Sequence, residues 1–482
     1  MRKFMIFVLL LAATSAGAAA SHHRAKPSRA EIAPQEQRIV VEHPVAVDGQ
    51  LVAAWVQYGP EGAEARAVVS GKGCPEISID GRDSYMSARA EADGQFPLVC
   101  SFALPAGAGP AALVLRRATE TPPPDATDGK GMENLAQRPA QSAAPADLRI
   151  VPLPLPVPDP RRVVVFGDTG CRILGAAVQD CSDPEQWPFA RIAAEAARLK
   201  PDLVIHVGDY LYRESACPPA FAGCAGSPRG DNWPAWDADF FAPAKPLLAA
   251  SPWVVVRGNH EECDRAGPGW LRLLGPAPYG PAAPCVAHLP PYSIPLAGLH
   301  LVVMDDANAP EAGAVADRVP IYRNEIASLA GEKAPVWLLL HRPIWGAVSG
   351  PLGIPVGGNL TLIEAAGSTH IPSSVELMLS GHIHSFEAIN YGRDDRVPPQ
   401  IVAGLGGDLL EATPSNLGGA IFQGHSGIGV ADGISVGGFG FLLMTRTEAG
   451  WTIEVRDPNG RIERQCAFRR GRIDCPAGRP RR

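Results

Sequence analysis

Five apolar runs in this chain each end on residues able to ligate a metal. The endings are Val165-Phe166-Gly167-Asp168, Val207-Gly208-Asp209, Val256-Arg257-Gly258-Asn259-His260, Leu339-Leu340-His341 and Leu379-Ser380-Gly381-His382-Ile383-His384. Such runs read as strands of a buried parallel sheet, and open α/β sheets hold their ligands at the carboxyl ends of their strands. Singly, each ending has a commoner structural explanation: Gly-Asp is a turn, Asn-His a loop, and a histidine closing a strand a satisfied core residue. His382-Ile383-His384 says more, because alternate residues of an extended segment point to one side and could hold two adjacent sites. Carboxylate, amide and imidazole donors at five strand ends indicate a shared metal centre. Tyr212, three residues beyond Asp209, adds a phenol.

The elements that must position these residues begin near residue 161. Strands are expected at 163–166, 203–207, 253–256, 299–304, 336–340, 376–379 and 401–403, and helices at 187–199, in part of 233–241, and at 321–331. The end returns to β-structure at 439–445 and 451–455, with Asn459-Gly460 a hairpin turn signal. Ahead of this segment, six or seven short β-type runs over 38–118 predict an antiparallel β-sandwich of fibronectin III or Ig type, with no catalytic cluster. Residues 119–158 are Pro-rich and predict a linker.

Residues 1–20 have the form of a signal peptide: a basic start, a short apolar core and Ala18-Ala19-Ala20 before Ser21. A disordered tail over 21–37 is expected to follow, and a basic tail over 471–482 to close the chain. No other run is long and apolar enough to predict a membrane span. Ten cysteines, all beyond the leader, fit export to the periplasm or the extracellular space. Their short-range order suggests Cys74/Cys100, Cys171/Cys181, Cys217/Cys224, Cys263/Cys285 and Cys466/Cys475, a pairing that sequence leaves open. A thiolate metal site is the alternative, but no Cys-x-x-Cys occurs. The net charge of −7 argues against nucleic acid as a partner.

Read together, the five endings resemble the sequence blocks of the calcineurin-like metallophosphoesterases, and within them the purple acid phosphatases. The family's blocks run Asp-x-Gly, Gly-Asp-x-x-Tyr, Gly-Asn-His-Asp/Glu, x-x-x-His and Gly-His-x-His. Here they are Asp168-Thr169-Gly170, Gly208 to Tyr212, Gly258-Asn259-His260-Glu261, Leu338 to His341, and Gly381 to His384. The resemblance spans about residues 160–460, and Leu338 stands where the family usually has Val. Most of the superfamily has His at the position of Gly170. The subgroup has instead the tyrosine that Tyr212 matches.

The resemblance implies a fold class of α+β/α-β type: the β-sandwich, then a two-sheet α/β catalytic domain over 159–470 with a β-α-β-α-β core and flanking helices. It implies two metal ions, one held by Asp168, Asp209, Tyr212 and His384, the other by Asp209, Asn259, His341 and His382. Three anionic oxygen donors favour Fe(III) at the first site, and the mostly neutral donors of the second suit a divalent ion such as Zn, Fe or Mn. It further implies hydrolysis of phosphate monoesters by a metal-bound hydroxide, with His260 as the catalytic acid. Glu261 is expected either to orient His260 or to serve a salt-bridge or helix-start role. A phosphodiesterase or pyrophosphatase on the same centre, and a non-catalytic surface binding protein, are the alternative functions. Residues 342–348 lack the extra histidines of some relatives. His425 is either a pocket residue or a loop histidine, Tyr210 either packs or lines the cleft, and Asp305-Asp306 is read as structural.

Overall fold

A computed structural model of the chain describes residues 50–116, 148–280, 284–367, 371–392, 397–414, 416–422 and 427–476. The chain divides into two units, 1–43 and 44–482, and the first lies outside the described residues. The expected leader, the N-terminal tail, most of the linker, the final residues and His425 also lie outside them.

Two large sheets face each other. The first contains three parallel strands, Arg162–Phe166, Leu203–His206 and Trp253–Val255, whose apolar runs lie wholly inside the protein. The second contains four parallel strands, Leu299–Val303, Val336–Leu339, Val375–Ser380 and Gln400–Ala403. Val165, Ile205 and Val254 of the first meet Leu301, Leu339 and Leu379 of the second in one buried core. Alternate side chains of each strand enter this core or the outer one. On the outer face of the first sheet, Val164, Phe166 and Val204 pack beneath the helices Phe189–Arg198 and Ala242–Leu248. The helices Val319–Ser328 and Leu360–Ala366 cover the second sheet. Phe189–Arg198 begins after Pro188, which has no N–H to bond to a preceding turn. The Asn459-Gly460 signal falls in the turn joining Gly450–Arg456 to Ile462–Arg469, where Gly460 has φ 76°.

Three expected boundaries change. The N-terminal strands do form two facing sheets over a shared core that includes Val56, Ala67, Ile77, Leu98 and Leu113. One of those sheets, however, continues into the first large sheet, because Leu51–Gly59 runs parallel to Trp253–Val255 with Gln57 opposite Trp253. Buried polar groups reinforce the junction. Gln57 Nε2 donates to Leu274 O at 2.9 Å, and Arg66 donates to Leu273 O and Gly275 O. Second, Leu148–Pro152, inside the stretch expected to be linker, is a strand paired with Ala111–Arg116. Leu153, just beyond it, is buried in the sandwich core. Third, Arg472–Asp474 is the edge strand of the first sheet and not part of a solvated tail. The Cys466–Cys475 disulfide ties it there. All five disulfides join nearest neighbours: Cys74–Cys100, Cys171–Cys181, Cys217–Cys224, Cys263–Cys285 and Cys466–Cys475. Among the described residues no helix is long and apolar enough to cross a membrane.

One buried carboxyl gives the fold a pH signature. Glu387, on the strand Phe386–Tyr391, is fully buried and accepts one hydrogen bond, from Ala347 N–H at 3.2 Å. Burial, with the charge of Glu411 adding to it, pushes its pKa up to about 8 from 4.5. Between those values the unfolded chain binds fewer protons than the native one. Stability is therefore full below about pH 4.5 and declines as pH rises toward 8, by up to roughly 5 kcal/mol for this group. Glu387→Gln is expected to flatten the melting temperature between pH 5 and 8.5, where the parent loses several degrees more. Parallel melting curves for the two proteins would rule this out.

Candidate metal centre

The five strand endings converge at the carboxyl edges of the two facing sheets. Asp168, Asp209, Asn259 and His260 come from the first sheet, and His341, His382 and His384 from the second. Asp168 (φ 59°), Asp209 (φ 57°) and His382 (φ 70°) adopt left-handed backbone. Residues other than glycine pay for that conformation, and such strain gathers where a site demands a particular side-chain direction. The His382-Ile383-His384 segment is accordingly not extended, as alternation had suggested. Two successive tight turns, Ile383 N–H to Gly381 O at 2.8 Å and Ser385 N–H to Ile383 O at 2.7 Å, deliver the two imidazoles instead.

Tyr212 sits at the middle of one donor group. Its fully buried hydroxyl lies 2.8 Å from Asp209 Oδ2, 3.1 Å from Asp168 Oδ1 and 3.3 Å from His384 Nε2. The second group centres on His341, whose Nε2 lies 3.0 Å from Asn259 Oδ1 and 3.1 Å from Asp209 Oδ2. Asp209, His341 and His382 offer ligand atoms within 4.8 Å of one another. Donor atoms about 3 Å apart are spaced as ligands about 2.1 Å from a common ion would be. The donor set therefore fits the two-ion centre, with Asp209 common to both groups.

Backbone carbonyls orient the imidazoles. His341 Nδ1–H donates to Val207 O at 2.8 Å, and His384 Nδ1–H donates to Leu409 O at 2.6 Å, which turns each Nε2 toward the carboxylates. His382 Nε2 is 2.5 Å from Glu311 Oε1, leaving its Nδ1 on the opposite side. Burial lowers the proton affinity of His341 and His384, yet carboxylates overcome it. Asp209 raises His341 to about 9, and Asp408 with Asp168 raises His384 to about 10. Burial and the charges of Asp209 and Asp168 hold Tyr212 well above the usual phenol value, so its O–H donates to Asp209. Burial also opposes ionisation of Asp209, but His341 and His260 hold it well below the ordinary carboxylate range. The centre thus strongly favours positive charge.

Gly170 explains the exchange of a histidine for Tyr212 sterically. A Cβ built on Gly170 would meet Tyr210 O at 2.7 Å and Tyr212 Cδ2 at 2.8 Å, so no side chain of any kind fits there. Gly208 is constrained as strongly: with φ 99°, its Cβ would lie 2.3 Å from His341 Nδ1.

Supporting residues decide the rest, and most gave no local signal in the sequence. His260 Nδ1 is 2.5 Å from Glu214 Oε1, and Glu214 is in turn gripped by Arg265. Glu214, not Glu261, therefore orients His260. Glu261 is fully buried and caps backbone, accepting from Tyr210 N–H at 2.8 Å, Leu211 N–H at 3.2 Å and Gly258 N–H at 3.0 Å. That is the helix-start alternative. Asp239 accepts from the N–H groups of Cys171, Tyr212 and Arg213 and pairs with the Arg213 guanidinium at 2.5 Å, pinning the Tyr212 loop. It stands in a π-turn, Asp237–Phe241, between the helical turn Trp233–Trp236 and Ala242–Leu248. Asp306 accepts from His341 N–H and Arg342 N–H, a structural role. Tyr210 packs: it stacks on the buried His206 at 3.9 Å and donates to Val256 O. His260 Nε2 stands 3.9 Å from Asp209 Oδ2 at the wall of a cavity of about 440 Å³, which Asp209, Asn259, His382 and His384 also line.

This geometry is that of a metallophosphoesterase. Residues 161–386, which contain all five strand endings, match the calcineurin-like phosphoesterase family model. That part of the chain is a calcineurin-like phosphoesterase domain, the catalytic domain of a phosphoric ester hydrolase, and its family implies a two-metal centre. Among solved structures, the chain is similar to the purple acid phosphatase PPD1 from seeds of yellow lupin (Lupinus luteus), at 13% identity over 86% of this chain and 73% of that one, with a TM-score of 0.49. It is similar to PhoD at 11% identity over 88% and 91%, also with a TM-score of 0.49. GAP50, the anchor in the inner membrane complex of Plasmodium, aligns at 13% identity over 64% and 89%, with a TM-score of 0.37. Likenesses this remote leave function to the site. No curated protein is significantly similar in sequence.

Proposed function

We propose that this protein is an exported binuclear acid phosphatase of the purple type, acting on phosphate monoesters. The observation that carries the proposal is the Tyr212 hydroxyl, within 3.3 Å of Asp168, Asp209 and His384 and backed by a glycine at position 170 that admits no side chain. Asp168, Asp209, Tyr212 and His384 would hold the first ion, and Asp209, Asn259, His341 and His382 the second. Three anionic donors at the first site favour Fe(III), and the neutral amide and imidazoles at the second suit a divalent ion such as Zn, Fe or Mn. When bound, the pair supplies Lewis-acid polarisation of the phosphoryl group and acidification of water.

The chain's own contribution is positional. Asp209 holds both donor groups in register while its Oδ1 accepts His260 N–H at 2.8 Å. Glu214, against His260 Nδ1, favours the imidazolium form, whose Nε2–H addresses the cavity and would pass its proton to a leaving alcohol. Export is favoured by the five disulfides and by the form of residues 1–20.

The protein purified with its native metals is expected to hydrolyse para-nitrophenyl phosphate at least about tenfold faster than bis-para-nitrophenyl phosphate, a difference of roughly 1.4 kcal/mol in barrier. Equal or faster cleavage of the diester would replace the monoesterase proposal with the diesterase one.

A further inference from the structure

Phosphate-binding cavities need a positive group on the substrate side, and residues 342–348 carry no histidine to supply it. We propose that Arg172 fills that place and binds the phosphoryl group of the substrate, a role outside the metal-ligand blocks. Among the described residues that line the cavity, Arg172 is the sole arginine or lysine. Three carboxylates, Asp209, Glu311 and Glu411, share the wall with it, and no other side chain of that lining carries a permanent positive charge.

The guanidinium is held in one plane from two sides. Its Nε donates to Asp408 Oδ1 at 3.0 Å and its Nη2 to Asp408 Oδ2, and its Cζ lies 4.7 Å from the centre of the Tyr212 ring. Asp408 is fully buried, whereas the Arg172 side chain is 18% exposed, so the pair opens to the cavity through the arginine. Asp408 occupies one edge of the guanidinium fork. Nη1 is left for an oxygen acceptor, and a fork fixed in this way loses little entropy on binding phosphate. The backbone is fixed as well: Arg172 N–H donates to Gln179 Oε1 at 2.8 Å, and the neighbouring Cys171 is bonded to Cys181. Neutralising Asp408 is the simpler role for Arg172. Asp408 does not need an exposed, cavity-facing partner for that, and His384 Nδ1 already lies 3.6 Å from it.

The inference rests on the phosphoester assignment of the same cavity. The test is calorimetric binding of inorganic phosphate to the metal-loaded parent and to Arg172→Gln, with metal content measured on both. The dissociation constant is expected to rise about 10- to 100-fold in Arg172→Gln, as for loss of one charge-assisted hydrogen bond, with two ions per chain retained. Arg172→Lys keeps the charge without the fork and is expected to fall between the two. An unchanged constant in Arg172→Gln, or a rise no greater than the metal lost, overturns the inference. If Arg172→Gln fails to fold, Arg172→Lys decides, and parental phosphate affinity in it overturns the inference. A parent that neither binds phosphate nor cleaves any phosphoester refutes the assignment of the cavity itself, a result distinct from failure of the arginine alone.

Discussion

Asp209→Asn is expected to lower phosphate monoester turnover at least about a thousandfold, roughly 4 kcal/mol of barrier, and to leave the chain with fewer than two bound ions. The effect should be this large because one carboxylate serves both donor groups. Its Oδ2 faces the Tyr212 hydroxyl at 2.8 Å and His341 Nε2 at 3.1 Å. Asparagine is nearly isosteric and tolerates the left-handed backbone at this position, where φ is 57°. Its carbonyl can still accept His260 N–H, as Oδ1 does now. What it cannot do is present two anionic oxygens, because an NH₂ must occupy one place. The melting temperature of the metal-free variant should therefore stay close to that of the metal-free parent while metal content falls. Elemental analysis beside steady-state kinetics checks both halves. A variant that binds two ions and keeps more than a tenth of parental turnover would remove Asp209 from the bridging role.

Tyr212→Phe separates metal identity from architecture. The substitution deletes one oxygen and little else. The Tyr212 N–H bond to Asp239, the ring contact with His260 at 3.8 Å between centroids, and the stacking of Arg172 do not use the hydroxyl. The parent, isolated from its native compartment, is expected to show a visible absorption band from tyrosinate bound to Fe(III), and Tyr212→Phe is expected to lose it. Turnover should fall about 10- to 100-fold, since the ion keeps three other ligands but the Asp168 and Asp209 carboxylates lose the donor between them. Colourless parent protein with stoichiometric iron would end the assignment of Tyr212 as a ligand. A coloured Tyr212→Phe variant would do the same.

The two substitutions probe residues that could be found without a structure, and the reason is physical. A ligand at a strand end is a local feature: the apolar run, the Gly that allows the turn and the donor are contiguous. The cysteines belong with them, since their short loops are the cheapest to close. Supporting groups are not local. Glu214 reaches His260 from 46 positions away in the chain, whereas Glu261, the adjacent carboxylate, turns back to the backbone of Gly258 and Tyr210. The same holds for Asp239, which acts through a π-turn that no apolar periodicity announces.

Strand content in the N-terminal segment was legible in the same way, while strand partnership was not. The apolar run within Leu51–Gly59 marks a strand, but not that the strand lies beside Trp253–Val255. Edge hydrogen bonds are made by backbone groups that every sequence shares. Side-chain pattern alone therefore could not distinguish a separate sandwich from one whose sheet continues into the catalytic core. By itself the sequence determined the order of the candidate site residues Asp168, Asp209, Tyr212, Asn259, His260, His341, His382 and His384, because each lies close behind one of five apolar runs. Only the tertiary structure decided how their imidazoles are turned, which acid backs His260, and that Arg172 looks into the cavity, because those depend on groups brought together by the closing of two sheets.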